Sequence, residues 1–253
     1  AQELEQQFEF GELCFRFRVF KQPEQKWGIA FCTHHAIEDG WGFSRFLGEL
    51  GILYQQIESG MDVSISAATY PAMLEHLSLE MEAKESAEHK AAWQSLLSSY
   101  QPMPELQASD VNAQTGLETL TTELSQEEYA LLTRNSNEYK IELKVVILNA
   151  YFGALSQVLS SDVLTVDVVS SGRSHRLTDP LNAMGLFWAF LPVTHQVTGD
   201  KQSELSKLSD AIWQSNAHSL YPYDCISALA GQQQGALTYA SFNFANFHSV
   251  KSA

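Results

Sequence analysis

The chain has 253 residues, 45% of them hydrophobic, enough for one large domain or two small lobes with a buried core. Its 30 acidic against 15 basic residues give a net charge of -15, which repels a phosphate backbone and argues against a nucleic-acid partner. The longest apolar runs, 145–148 and 186–193, fall far short of a bilayer crossing, and residues 1–7 lack the basic start of a secretory signal, so a cytoplasmic protein with no membrane partner is expected.

Leu13, Phe15, Phe17 and Val19 alternate with Arg16 and Arg18, the period of a strand with one buried face. A turn over 21–26, containing Pro23, leads to a second apolar run over 27–33, and the two runs predict a hairpin. Phe43, Phe46, Leu47, Leu50 and Leu53 then recur at helical spacing. One or two helices are expected over 71–97, with Trp93 among the inward positions. Residues 101–116 hold two prolines, Gly116 and few large apolar side chains, and are the best place for a lobe boundary. Beyond them, Ser125 and Glu128 have capping-box spacing, 143–159 is a strongly apolar helix, and 163–169 is rich in β-branched residues. A strand over 186–197, a helix over 203–218 and a last strand over 237–247 complete the pattern, without internal repeats. Cys14, Cys32 and Cys225, odd in number and widely spaced, are expected as reduced core thiols.

The informative stretch is 34–41, His-His-Ala-Ile-Glu-Asp-Gly-Trp, at the connection between the second strand and the helix that follows. An imidazole titrates near neutral pH and can take a proton from an attacking amine or alcohol if a partner orients its ring. Asp39 can orient the ring or hold the loop, Gly40 allows close backbone approach, and the helix N-terminus offers N–H groups to a carbonyl oxygen. That combination suits acyl transfer. The same residues also admit plainer roles: Asp39 as a helix N-cap, Gly40 as a turn residue, the histidines as packing or surface groups. His35 and Asp39, four apart, could alternatively share a metal, but spacing suggests no third ligand.

Two histidines, three variable residues, Asp39, Gly40 and Trp41, with Leu47, Glu49, Leu50 and Tyr54 on the next helix, resemble the core motif of the condensation domains of nonribosomal peptide synthesis. Residues 168–173, followed by Gly185, Phe187, Leu191 and Pro192, are similar to that family's second signature, a Gly-Arg turn leading to a Gly-x-Phe stretch that ends in Leu-Pro. Trp93 resembles part of the family's connector helices, and 241–247 resembles a late strand lining its channel. There are departures: Ala189 and Phe190 stand where Asn-Thr is usual, and Thr194 where a basic residue often follows. Epimerising relatives usually carry Ser-Trp shortly after the aspartate, and heterocyclising ones replace the histidines with aspartates, so His34, His35 and Gly40 to Gly42 favour the condensing type.

The resemblance implies an α/β (α+β) fold, a two-lobe chloramphenicol-acetyltransferase-like arrangement. Residues 1–115 would form the end of the N-terminal lobe, with the histidine motif and connector helices, and 116–253 most of the C-terminal lobe. Family members are about twice as long, so the first lobe is expected to be incomplete, with open strand edges within 13–33. The activity implied is amide formation between donor and acceptor groups carried as thioesters on the phosphopantetheine arms of peptidyl or acyl carrier proteins. Neighbouring synthetase domains are the other implied partners, with no cofactor or metal bound by the chain itself. By the same resemblance His35 stands beside the acceptor nucleophile, as general base or positioning group, while His34 is structural and Gly40 lies against substrate. Asp39 and Arg173 pair to hold the loop, and Trp41, Gly185 and Phe187 border the substrate channel. Two alternatives remain at this point: a stand-alone O-acyltransferase of the same superfamily using the same histidine, and a noncatalytic carrier-protein docking module.

Overall fold

The computed structural model describes residues 7–9, 11, 13–63, 70–104, 116, 118–232 and 235–245. The chain divides into one unit of Ala1–Met81, Ser171–Trp188 and Ala245–Ala253, and another of Glu82–Ser170 and Ala189–Phe244. Most of the lobe boundary expected over 101–116 lies outside the described residues.

In the first unit β1 (Phe15–Lys21) and β2 (Trp27–Thr33) form an antiparallel hairpin, in register from Phe15 opposite Thr33 to Lys21 opposite Trp27. The turn is closed by the Gln22 N–H donating to the Lys26 carbonyl at 2.7 Å, with Glu24 taking a left-handed φ of 61°. Phe17 is opposite Phe31 and Val19 opposite Ile29, so these four side chains share one face of the ribbon. Helix α1 (Gly40–Glu58) sets Phe43 and Phe46 against Phe31, at ring separations of 5.7 and 4.9 Å. The rest of that face stays open among the described residues: Phe17 is 52% exposed and Val19 50%. The buried face expected of β1 is therefore corrected. Alternation placed the apolar side chains on one side, but the α1 aromatics reach only the Phe31 end of a ribbon two strands wide.

The expected 71–97 segment is two helices, α2 (Tyr70–Glu85) and α3 (Ala87–Leu96), broken at Ser86, whose hydroxyl accepts the His89 N–H. The second unit adds α4 (Gln126–Tyr139), α5 (Leu143–Leu159), β3 (Val163–Ser170), β4 (Ala189–Gln196), α6 (Lys201–Ala217), α7 (Tyr223–Leu229) and β5 (Ser241–Phe242). Its sheet has the order β4-β3-β5, with β4 antiparallel and β5 parallel to β3. β3 is central and buried on both faces. Leu164, Val166 and Val168 join Leu148 and Phe152 of α5 and Leu208 of α6 in one apolar core. The other face carries Thr165, paired with Thr194 across the ladder at 2.9 Å, and Asp167, which accepts the Tyr223 hydroxyl proton at 2.8 Å. Trp93, Leu191, Tyr221, Ile226 and Leu237 form a second core, where the Trp93 indole N–H donates to the His218 carbonyl. The capping box is present as expected, with Ser125 and Glu128 bonding each other's backbone N–H groups.

Several expectations on this unit change. The strand expected from residue 186 begins at Ala189, because Gly185 adopts φ 152° and the Phe187 N–H is taken by a side chain rather than a neighbouring strand. The last strand covers only Ser241–Phe242, and residues 246–247 of the expected span lie outside the described residues. Helix α7, unsuspected from the sequence, is seven residues long and starts after Pro222, too short to show a period. Cys14, Cys32 and Cys225 are thiols but half-buried rather than core. Among the described residues no single helix is long and apolar enough to cross a membrane.

Candidate active site

The site is built where β2 ends and α1 begins, within the first unit. The His34 N–H extends the hairpin by donating to the Cys14 carbonyl at 2.8 Å, and the Ile37 N–H returns to the His34 carbonyl at 3.1 Å, making a turn of 34–37. Inside that turn the His34 Nδ1 accepts the Ala36 N–H at 3.1 Å, and its ring meets Phe8 edge-on. The His35 Nδ1 lies 2.8 Å from the Glu38 carbonyl oxygen. A carbonyl only accepts, so Nδ1 carries the proton and the lone pair of the neutral ring is on Nε2. His35 is exposed, and with His34, Glu38 and Gly40 it lines an open pocket of about 730 Å³ whose apolar wall includes Phe31 and Phe43. Burial, set against a Thr33 hydrogen bond, raises the Glu38 carboxyl above its usual value.

Asp39 is the hinge of this loop. Its side chain is the N-cap of α1, with Oδ1 accepting the Gly42 N–H at 2.9 Å. The same carboxylate takes both guanidinium nitrogens of Arg173, Nη1 on Oδ2 at 2.7 Å and Nη2 on Oδ1 at 2.9 Å, with side-chain exposures of only 5% and 4%. Oδ2 also accepts the Phe187 N–H at 3.1 Å, and the Asp39 N–H donates to the Gly185 carbonyl at 3.1 Å. A buried carboxylate with its acceptor sites filled by a bidentate arginine and two N–H groups is held as the anion. Burial works against that charge, but Arg173, Gly42 and Phe187 outweigh it and hold the carboxyl below the usual aspartate value.

Arg173 is itself fixed by donating to the Ala183 carbonyl at 3.2 Å and by lying over the Phe187 ring, 4.6 Å from its centroid. Phe187 is 1% exposed and also meets His76 edge-on. The Trp41 indole N–H donates to the Leu181 carbonyl at 3.0 Å. A Cβ on Gly172, which has φ 62°, would overlap the Phe187 carbonyl, and one on Gly185 would overlap Met73. Gly172 is thus sterically required, because the clash is with backbone, whereas at Gly185 the Met73 side chain can give way and it is the φ of 152° that favours glycine. Sequence reasoning brought Asp39 and Arg173 together through the resemblance alone, since 134 positions separate them. It missed Trp188, whose ring stacks on His35 and which lies at an unmarked position between Phe187 and Ala189. Among the described residues no group of three or more His, Cys, Asp or Glu could hold a metal ion.

The condensation domain model matches residues 1–252. A linear gramicidin synthase protein of Brevibacillus parabrevis is 26% identical over 220 residues, which cover 83% of this chain and 4% of that protein. The first condensation domain of the calcium-dependent antibiotic synthetase superposes with a TM-score of 0.69 at 17% identity, covering 91% of this chain and 53% of that one. A four-domain nonribosomal peptide synthetase bound to AMP and glycine gives a TM-score of 0.77 at 16% identity, covering 96% of this chain and 19% of that one. The chain therefore spans about half the length of that solved condensation domain and a small part of the synthase it matches. From motif, fold and match together, the chain belongs to the condensation domain family.

Proposed function

We propose that this chain forms part of an amide-forming acyltransferase that joins a donor and an acceptor carried as thioesters on the phosphopantetheine arms of two carrier proteins in the cytoplasm. The observation that carries the reading is His35, its Nδ1 tied to the Glu38 carbonyl and its Nε2 left as the basic nitrogen, on a loop pinned by the buried Asp39–Arg173 pair. In the reaction the acceptor amine attacks the donor thioester carbon, a C–N bond forms and the C–S bond breaks. The amine proton passes through Nε2 of His35 to the departing thiolate. His34 shapes the turn, Gly40 leaves room for substrate at the start of α1, and Asp39 with Arg173 holds the loop. In this reading Trp41, Gly185 and Phe187 border the substrate channel, with the Trp41 indole tied to the Leu181 carbonyl and the Phe187 ring under the Arg173 guanidinium. Two carriers and neighbouring synthetase domains are the partners. The relatives support this reading: the four-domain structural neighbour is itself a nonribosomal peptide synthetase.

The test is transfer from a loaded donor carrier to a loaded acceptor carrier, followed by intact-protein mass spectrometry, on the native protein carrying this chain and on its His35→Ala variant. Product that disappears with His35→Ala supports the proposal. Carrier binding without product, indifferent to His35→Ala, overturns it in favour of a docking module. Product with an alcohol acceptor only would make the enzyme an O-acyltransferase.

A further inference from the structure

The imidazole of His35 lies against the indole of Trp188, with ring centroids 5.2 Å apart and planes 12° from parallel. We infer that Trp188 is a positioning residue for the proposed reaction, its ring fixing the plane of His35 and with it the direction of Nε2; the inference rests on the amide-forming reading. His35 is exposed, and its Nδ1 is held by a hydrogen bond to the Glu38 carbonyl at 2.8 Å. One such bond fixes an atom and leaves the ring free to swing and tilt about it. A broad aromatic face parallel to the ring removes that freedom, because tilting breaks the stacked contact.

The backbone ensures that the clamp faces the loop it serves. Trp188 follows Phe187, whose N–H is held by the Asp39 carboxylate, and Gly185 accepts the Asp39 N–H. The same side chain that caps the helix after His35 therefore anchors the segment carrying Trp188, and Gly172 lets that segment pass close by. A general base misplaced by a fraction of an ångström loses rate rather than binding, so a positioning indole acts on kcat.

The experiment pairs a ring signature with a rate. In proton–carbon NMR of this chain, His35 is assigned as the signal missing in His35→Gln. Its ring C–H protons are expected upfield of those of a free imidazole, returning downfield in Trp188→Leu and staying largely upfield in Trp188→Phe. In the carrier-to-carrier assay on the native protein, Trp188→Leu is expected to lose about tenfold or more in kcat with KM nearly unchanged, and Trp188→Phe to recover most of it. Circular dichroism checks that each variant is folded, and if Trp188→Leu is not, the Trp188→Phe variant and the wild-type ring shifts carry the test. The inference is overturned by His35 ring protons with no upfield displacement in the wild type, by unimpaired kcat in Trp188→Leu, or by a change confined to KM, which would make Trp188 a substrate wall. Wild-type protein without any transfer would sink the amide-forming reading instead, while the ring shifts still decide whether the clamp exists.

Discussion

Asp39 shows how one side chain can serve as cap, ion-pair partner and tether together. Removing it leaves Arg173 as a buried, uncompensated cation, so Asp39→Ala is expected to cost about 3–5 kcal/mol of stability, measured by urea unfolding, and to lower activity with it. Arg173→Ala should cost a similar amount and the double variant less than the sum, because the two share one interaction. The folded carboxyl lies below its unfolded value, so its contribution is complete above the usual aspartate range and fades as pH falls through the folded value. Glu204, which is 2% exposed, behaves alike: burial opposes its charge, but the Thr198 and Gly199 N–H groups, Asn149 and Lys201 bring it down to about 2. Asp167 has the opposite sign. Burial, only partly offset by the Tyr223 hydroxyl, pushes it up from 3.8 to about 6, so its contribution is complete below pH 3.8 and lost as pH rises through about 6. Asp167→Asn should therefore be more stable than wild type at pH 8, by on the order of 3 kcal/mol, with the gain vanishing near pH 3.5; urea midpoints at the two pH values check this.

Among the elements, helix ends and tight passages matter more than helix interiors. Ser125 starts α4 with a full capping box, both N–H groups satisfied on an exposed helix end. Ser125→Ala should lose about 1 kcal/mol in thermal or urea unfolding, since it leaves the Glu128 N–H without its cap. Gly172 is the contrary case, where the backbone takes φ 62° and a methyl group would collide with the Phe187 carbonyl. Gly172→Ala should cost about 3 kcal/mol and, by shifting Phe187, weaken the hydrogen bond to Asp39. Among the described residues β3 is the strand with a ladder on either side, which makes it central, and its Leu164, Thr165 and Val166 are fully buried.

For the molecule as a whole, the two units are unequally filled. Among the described residues the second holds two apolar clusters, whereas the first presents a two-stranded ribbon with Phe17, Val19, Trp27 and Ile29 all at least half exposed. Hydrogen exchange should accordingly find the slowest amides in β3 and α5 and clearly faster exchange in β1 and β2. Equal protection of hairpin and β3 would contradict that ordering.

Local chemistry was legible in the chain itself. The period of two in 13–19, the turn at Pro23, the helical spacing after Gly40 and the capping pair at Ser125 and Glu128 follow from interactions a few residues long, and these elements appear where expected. The order of His34, His35, Asp39 and Gly40 suits acyl transfer but equally admits a helix cap, a turn glycine and packing histidines, and it was the resemblance to condensation domains that separated these readings. Which faces are covered was not legible: alternation sorts the apolar residues of β1 to one side, but whether anything packs there depends on distant segments. Likewise, residues 186–188 read as strand from composition alone, yet the Phe187 N–H is taken by Asp39, 148 positions away. The same holds for Trp188, which meets His35 only because Asp39 draws both segments together. Local hydrogen bonding and periodicity are written in neighbouring residues, while burial, strand pairing and ring stacking are set by contacts between segments far apart in the chain, and only the tertiary structure decides those.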